Sequence, residues 1–288
     1  MISGINLIQL YSKFLIGTVK DRLFLVFKLA VTLFVISPFY IAVIYSVKSK
    51  PEMVSNRLAF PKIIHWDNFT RAVETSGFGL AMKNSLVTTV AAVLAITLIC
   101  TMSAYMIARK NNRLYNAIYY IFVGAMIIPF QSIMTPLYID MTKWGLLNTL
   151  HGFIMAKIGF QIAFTVLLVS GFVKSIPREL EEAAAIDGAG LYSVFFRIVF
   201  PLMKPIILTS VVLNTLNVWN DFQMSLTLLQ KKAVRNVPLT QYFFFGENSI
   251  ELGLAFALFI LSMIPILILY LSLQKYIIGG ITSGAVKG

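Results

Sequence analysis

A group of polar side chains closes one of the long apolar segments of this sequence. Asn214, Asn217 and Asp221 follow i, i+3, i+7 spacing, which places them on one face of a helix. Amides donate and accept hydrogen bonds, a carboxylate accepts them, and the neighbouring Trp219 offers a flat apolar ring, as binding of a polyhydroxylated solute requires. The same side chains also join helices to one another inside membranes, and both interpretations stay open. The candidates for a solute pathway are Asn214, Asn217, Asn220 and Asp221.

A second charge, Lys157, lies inside another apolar segment. An ionised side chain at membrane depth is costly and usually faces a bundle interior or a water-filled cavity. Lys157 either pairs with Asp221 or extends its ammonium group to the nearer interface, and the sequence does not choose between these two outcomes.

The sequence shows no pattern for metal binding or covalent catalysis. His151 has no His, Cys or carboxylate at ligand spacing, and the single cysteine, Cys100, excludes an internal disulfide and predicts a packing role. There is no phosphate-binding G-x-x-x-x-G-K-[ST] motif, no G-x-S-x-G and no H-E-x-x-H. We therefore expect a protein that is not an enzyme and that holds no metal and no cofactor.

A charged segment from Lys174 to Lys204, here named the docking loop, interrupts the apolar sequence. Its acidic and alanine residues favour a short helix, Gly188 interrupts that helix, and an amphipathic pattern resumes before Pro201. Asp187 is expected to cap the second helix. Two short helices joined by a turn suit an element that sits in a groove of another protein. The candidate docking residues are Glu179, Glu182, Ala183, Ala184, Asp187, Gly188, Ala189, Ile198 and Pro201.

Composition places the chain in a membrane. Of its 288 residues, 58% are hydrophobic and 12% are charged, with a mean hydropathy of +0.81, whereas soluble domains carry about 25% charged residues. A hydrocarbon core of about 30 Å requires roughly 20 apolar residues in helical conformation. Six stretches meet this requirement and predict an all-α, polytopic membrane protein with six transmembrane helices. They are Leu23–Val47, Leu86–Ala108, Leu114–Tyr138, Leu150–Val173, Met203–Leu226 and Gly253–Tyr276.

Charge patterning suggests how the chain is arranged across the membrane. Residues 1–22 predict an interfacial amphipathic helix, residues 23–276 a transmembrane domain and residues 277–288 a cytoplasmic tail. The basic turn from Arg109 to Arg113 fits the excess of Lys and Arg in cytoplasmic loops, so both termini are expected on the cytoplasmic side. The net charge of +12 is spread over both faces without a basic stripe, which argues against nucleic-acid binding.

The docking loop resembles the signature of permease subunits of binding-protein-dependent ABC importers. The motif of those families is matched by Glu182-Ala183-Ala184, then by Gly188, Ile198 and Pro201, with Phe200 in place of the usual leucine. The end of the chain, with Gly279-Gly280 and the stretch Gly284, Ala285, Val286, Lys287, Gly288, is similar to the smaller permease subunit of maltose-type sugar importers. The Trp219-Asn220-Asp221-Phe222 stretch is similar as well.

This resemblance implies an ABC importer type I permease fold and a role in carbohydrate uptake. Residues 178–200 would form coupling helices that dock on an ATPase subunit, and residues 284–288 would reach between two such subunits. The implied partners are a second homologous permease, two ABC ATPase subunits, an extracytoplasmic sugar-binding protein and membrane lipid. ATP and magnesium would be bound by the ATPase subunits, and the chain would lie in the cell membrane of a prokaryote.

Two alternatives are weighed against this interpretation. In an ion-coupled secondary transporter or channel, Asp221 and Lys157 would form an ion-coupling pair, but the docking loop would have no ATPase to engage. An intramembrane enzyme is disfavoured by the missing catalytic motifs.

Overall fold

The computed structural model describes residues 19–110, 112–247 and 251–285. In these ranges the regular structure is helical, as the composition predicts. The helices are α1 (Val19–Ser46), α2 (Lys50–Ser55), α3 (Asp67–Ser76), α4 (Phe78–Arg109), α5 (Arg113–Ile127), α6 (Phe130–Lys143), α7 (Leu150–Val173), α8 (Glu179–Ile186), α9 (Leu191–Leu202), α10 (Lys204–Trp219), α11 (Gln223–Leu228), α12 (Val237–Glu247) and α13 (Leu252–Ala285). A π-helical turn, Phe195–Val199, forms the middle of α9.

Four of the described helices, α1, α4, α7 and α13, are long and apolar enough to cross a membrane. Two further pairs are bent, α5 with α6 by 102° and α9 with α10 by 75°. The described residues therefore hold six membrane segments if each bent pair counts as one span. The third predicted segment, Leu114–Tyr138, is divided between α5 and α6 and is not a single straight helix. Pro129 disfavours helical backbone at Ile128, which is extended (φ −77°, ψ 114°).

The chain divides into two compact units. The first contains the described residues up to Ala72 and residues 251–260. Inside it, the buried Lys48 donates from Nζ to the carbonyl oxygens of Asn56 (2.9 Å) and Arg57 (3.3 Å). Asn68 Nδ2 donates to the carbonyl oxygens of Ser46 and Lys48, each at 3.0 Å. These bonds fold the segment after α1 back onto its own start.

The second unit contains the described residues from Val73 to 247 and from 261 to 285. Its core lies where α4 packs along α7. On α4, Ala92, Ile96, Cys100 and Ala104 recur every four residues and are fully buried, so one helix face carries the contact. The packing role predicted for Cys100 is confirmed, because its thiol is free and buried in this core.

Candidate functional site

A ladder of polar side chains joins α7 to α10 within the second unit. Gln161 Nε2 donates to Asn214 Oδ1 (3.0 Å), and Asn214 Nδ2 donates to Thr165 Oγ1 (3.1 Å). Asn214 is fully buried, and each bond uses a group that would otherwise be unsatisfied in hydrocarbon. For Asn214, this geometry fits the alternative in which amides join helices.

Lys157 continues the ladder one helical turn before Gln161. Its ammonium Nζ lies 2.7 Å from Asp221 Oδ2 and donates to Asn217 Oδ1 at 3.0 Å. The side chains of Lys157 and Asp221 are only 3% and 11% exposed. Of the two outcomes that the sequence allowed for Lys157, the structure therefore shows the ion pair with Asp221 and not extension to the interface. Direct contact makes the pair neutral overall and offsets part of the cost of burying each charge.

Asp221 does not lie on the helix that carries the two asparagines, contrary to the spacing argument. α10 ends at Trp219, and Asn220 has left helical geometry. Asp221 Oδ1 instead accepts from the backbone N–H (2.8 Å) and the hydroxyl (2.9 Å) of Ser225 in the first turn of α11. The side chain still reaches the ladder because the chain turns at this point.

Two cavities adjoin the ladder. One, of about 700 Å³, is mainly apolar, with Gln161 and Asn217 among its polar lining residues. The other, of about 380 Å³, combines polar and aromatic walls. Its polar lining residues are Lys157, Asn217, Asn220, Asp221 and Gln223, and its aromatic ones are Phe130, Phe160 and Phe222. Three of the four pathway candidates therefore line a cavity, and the pathway role stays a prediction for them.

Some residues of the ladder were not singled out from the sequence. Gln161 and Thr165 follow Lys157 at intervals of four, and this periodicity inside an apolar helix was a readable signal. Gln131 Nε2 donates to Gln223 Oε1 at 3.0 Å and links α6 to α11. That pair had no such signal, because its members belong to separate helices.

The docking loop forms two short helices with a turn, as predicted. Gly188 ends α8 with a left-handed backbone (φ +80°), and the Ala189 N–H donates to the Ala184 carbonyl at 2.9 Å. The capping role expected of Asp187 is wrong. Asp187 lies at the carboxyl end of α8, whereas α9 begins after Gly190 without a side-chain cap.

The surface of the docking loop is both acidic and apolar. Ile186, Leu191 and Tyr192 are 86%, 51% and 71% exposed. Glu179, Glu182, Ala183, Asp187, Gly188 and Pro201 are also exposed, while Ala184, Ala189 and Ile198 are half-buried. Large exposed apolar side chains beside carboxylates are typical of a surface that meets another protein.

Glu181 differs from the other acidic residues of the docking loop, and sequence reasoning did not single it out. Its carboxylate turns inward, with the side chain 14% exposed, and lies 2.6 Å from Arg109 at the end of α4.

The remaining predicted residues are at the carboxyl end of the chain. Gly284 and Ala285 are the last residues of α13, whereas Val286, Lys287 and Gly288, like residues 1–18, lie outside the described residues. The described part of the chain contains no group of three His, Cys, Asp or Glu residues suited to a metal.

Fold and sites together define a multi-pass helical membrane protein. A family model described as "Binding-protein-dependent transport system inner membrane component" matches residues 99–282. The chain is 39% identical over 252 residues to the melibiose/raffinose/stachyose import permease protein MelC of Bacillus subtilis, covering 87% of this chain and 91% of that protein. It is 37% identical over 257 residues to the multiple sugar-binding transport system permease protein MsmG of Streptococcus mutans, covering 88% and 92%. The chain belongs to this family of inner membrane transport components.

A solved structure shows the same fold. A chain of a bacterial ABC transporter involved in the import of the acidic polysaccharide alginate superimposes with a TM-score of 0.76 at 23% identity. The match covers 90% of this chain and 98% of that one. The ABC importer permease fold expected from the sequence is thereby confirmed.

Proposed function

We propose that this chain is the permease subunit of an ATP-driven importer for sugars or oligosaccharides. The observation that carries the proposal is the agreement among its relatives. MelC, MsmG and the probable starch degradation products transport system permease protein AmyC of Thermoanaerobacterium thermosulfurigenes are each 35–39% identical to it over at least 91% of their own lengths. All three names describe sugar or starch-product transport.

The docking loop supports coupling to separate ATPase subunits. Glu182 and Asp187 present carboxylates to solvent beside the exposed Ile186 and Tyr192. Such a surface fits a groove that offers basic side chains at its rim and apolar ones inside. A rigid helix seated in a socket transmits a domain movement as a rigid body, which a flexible loop cannot do. Residues 284–288 are proposed to extend between the two ATPase subunits.

The solute pathway is proposed to run between this chain and a second, homologous permease. The cavity lined by Asn217, Asn220 and Asp221 adds amide and carboxylate groups to aromatic walls. Sugars bind to such surfaces through their hydroxyl groups and their apolar ring faces. Because Lys157 neutralises Asp221 directly, the cavity offers hydrogen bonds without a net charge.

The proposal includes a place for this chain in a complete transporter. An extracytoplasmic sugar-binding protein would meet the outer side of the chain, and the structural relative in complex with an alginate pentasaccharide-bound periplasmic protein is consistent with such a partner. The chain would lie in the cell membrane of a prokaryote with both termini in the cytoplasm. It would bind no cofactor itself, since ATP and magnesium would bind to the ATPase subunits.

The proposal is tested by purifying the tagged chain from its native membrane and identifying its partners by mass spectrometry. A second six-span chain and a P-loop ATPase are expected, and the complex in proteoliposomes should take up sugar only with ATP and binding protein. Glu182→Lys should release the ATPase and retain the second permease, which makes the second permease an internal control. Recovery of this chain alone, with transport that needs no ATP, would favour an ion-coupled transporter instead.

A further inference from the structure

The end of α4 holds a buried contact that reaches both helices of the docking loop. Arg109 Nε donates to Glu181 Oε1 at 2.7 Å, and the Tyr105 hydroxyl donates to Glu181 Oε2 at 2.8 Å. Each carboxylate oxygen of Glu181 therefore has its own donor. Two separate donors fix the orientation of a carboxylate more tightly than a single ion pair does.

The same α4 residues also bind the flanks of the docking loop. Arg109 Nη2 donates to the Ile176 carbonyl at 2.9 Å, just before α8 begins. The ring of Tyr105 packs on that of Phe195 in α9, with centroids 5.2 Å apart. Phe195 is 3% exposed, so this aromatic contact is part of the core. α8 and α9 are thus attached to one helical turn of α4.

Burial makes this contact stronger than an ordinary surface ion pair. The side chains of Arg109 and Glu181 are 11% and 14% exposed. Exposed ion pairs lose most of their strength to water and salt, whereas a shielded pair with additional hydrogen bonds keeps its geometry. The neighbouring acidic residues Glu179 and Glu182 are exposed and remain available to a partner.

We infer that Glu181, Arg109 and Tyr105 are positioning residues that fix the docking loop to α4 and transmit movement of the loop to the membrane helices. The inference rests on the proposed function, because it assumes that an ATPase moves the loop. α4 packs along α7, which carries Lys157 and the ladder, so the path from the loop to the pathway cavity is continuous in the second unit. Without the contact, the ATPase would still bind the exposed face of the loop, but less of its movement would reach α4, because the ring contact between Tyr105 and Phe195 would remain as the main link.

The test compares Glu181→Gln, Arg109→Met and Tyr105→Phe in the complete importer reconstituted in proteoliposomes. Uptake of sugar and hydrolysis of ATP are measured in the same vesicles. Glu181→Gln and Arg109→Met should lower sugar uptake per ATP hydrolysed by about tenfold, since hydrogen bonds to charged groups are worth roughly that factor or more. ATP hydrolysis should continue, and the ATPase should still co-purify. Tyr105→Phe, which removes one hydroxyl, should give a smaller loss.

A charge exchange separates transmission from simple folding damage. The double variant Arg109→Glu with Glu181→Arg restores an ion pair at the same place and should recover part of the coupling lost in Arg109→Glu alone. Arg113→Met is the matched control, since Arg113 is an exposed arginine near the same end of the bundle, and it should couple normally.

The outcomes distinguish the inference from the proposed function. A wild-type complex without an ATPase, or with uptake that is independent of ATP, would contradict the proposed function. A wild-type complex that couples normally, together with Glu181→Gln at the same ratio of uptake to hydrolysis, would overturn the inference alone. An equal loss in Arg113→Met, or no recovery in the charge exchange, would overturn it as well.

Discussion

The ion pair between Lys157 and Asp221 yields a quantitative prediction for stability. Asp221→Asn leaves the Lys157 ammonium, 3% exposed, with amide oxygens as its remaining partners. Removing one member of a buried pair costs about 3–5 kcal/mol, and we expect about 3 kcal/mol because the new amide still accepts a hydrogen bond. Lys157→Met should cost less, about 2 kcal/mol, because Asp221 is 11% exposed and keeps both bonds from Ser225.

The double variant Lys157→Met with Asp221→Asn shows whether the two residues act as a pair. It contains no unpaired charge, so we expect a loss of about 3 kcal/mol, which implies a coupling energy of about 2 kcal/mol. The assay is reversible unfolding in mixed micelles with increasing dodecyl sulfate, followed by fluorescence. Trp219 is a suitable probe, because it is 3% exposed and close to the pair.

A control pair of exposed charges, and one possible outcome of the double variant, test whether Lys157 and Asp221 stabilise each other. Asp140 and Lys143 are exposed residues on α6, and neutralising both should change the free energy of unfolding by less than about 0.5 kcal/mol. If the effects of Lys157→Met and Asp221→Asn add to within about 0.5 kcal/mol, the two charges do not stabilise each other, and the argument from burial fails.

Two glycine substitutions give further predictions, each with a control in the same element. A Cβ on Gly152 would overlap the Leu146 carbonyl oxygen, so Gly152→Ala should lower the unfolding midpoint in detergent. A Cβ on Gly159 would meet open space, so Gly159→Ala should leave the midpoint unchanged or raise it. Equal midpoints for the two variants would contradict the clash. Gly188 has φ +80°, so Gly188→Ala should cost about 1 kcal/mol in the docking loop and speed amide exchange in α8 about fivefold. Gly190 has φ −71°, so Gly190→Ala should not change the rate of amide exchange in α8. The same exchange rate in the Gly188→Ala and Gly190→Ala variants would refute the role of the left-handed turn.

Features specified by neighbouring residues were predictable from the sequence. The predicted fourth span and the observed helix α7 have the same bounds, Leu150–Val173. The apolar run defines the length of this helix, and the Thr149 side chain accepts a hydrogen bond from the Gly152 N–H at its start. The turn at Gly188 was predictable for a similar reason, because glycine adopts the left-handed backbone that ends a helix.

Features that depend on distant residues were not predictable in the same way. Glu179, Glu181 and Glu182 look alike in the sequence, and only the placement of α4 turns Glu181 inward while the other two stay exposed. Asp221 was placed on the wrong element, because helical spacing assumes that the helix continues past Trp219. Pro129 marks the position of the bend between α5 and α6, but its angle of 102° depends on the packing of the second unit and could not be predicted from the sequence.

The regular spacing of the ladder restricts how the bundle can move. Lys157, Gln161 and Thr165 occupy successive turns of α7, and each holds a group at or just beyond α10. Sliding α10 along α7 by one turn, about 5.4 Å, would bring each donor beside the wrong acceptor and separate the ion pair at the same time. The observed hydrogen bonds therefore fit a single register of the two helices, and we expect α7 and α10 to move together. A solute passage that opens between this chain and a second permease, as proposed above, would leave their contact intact.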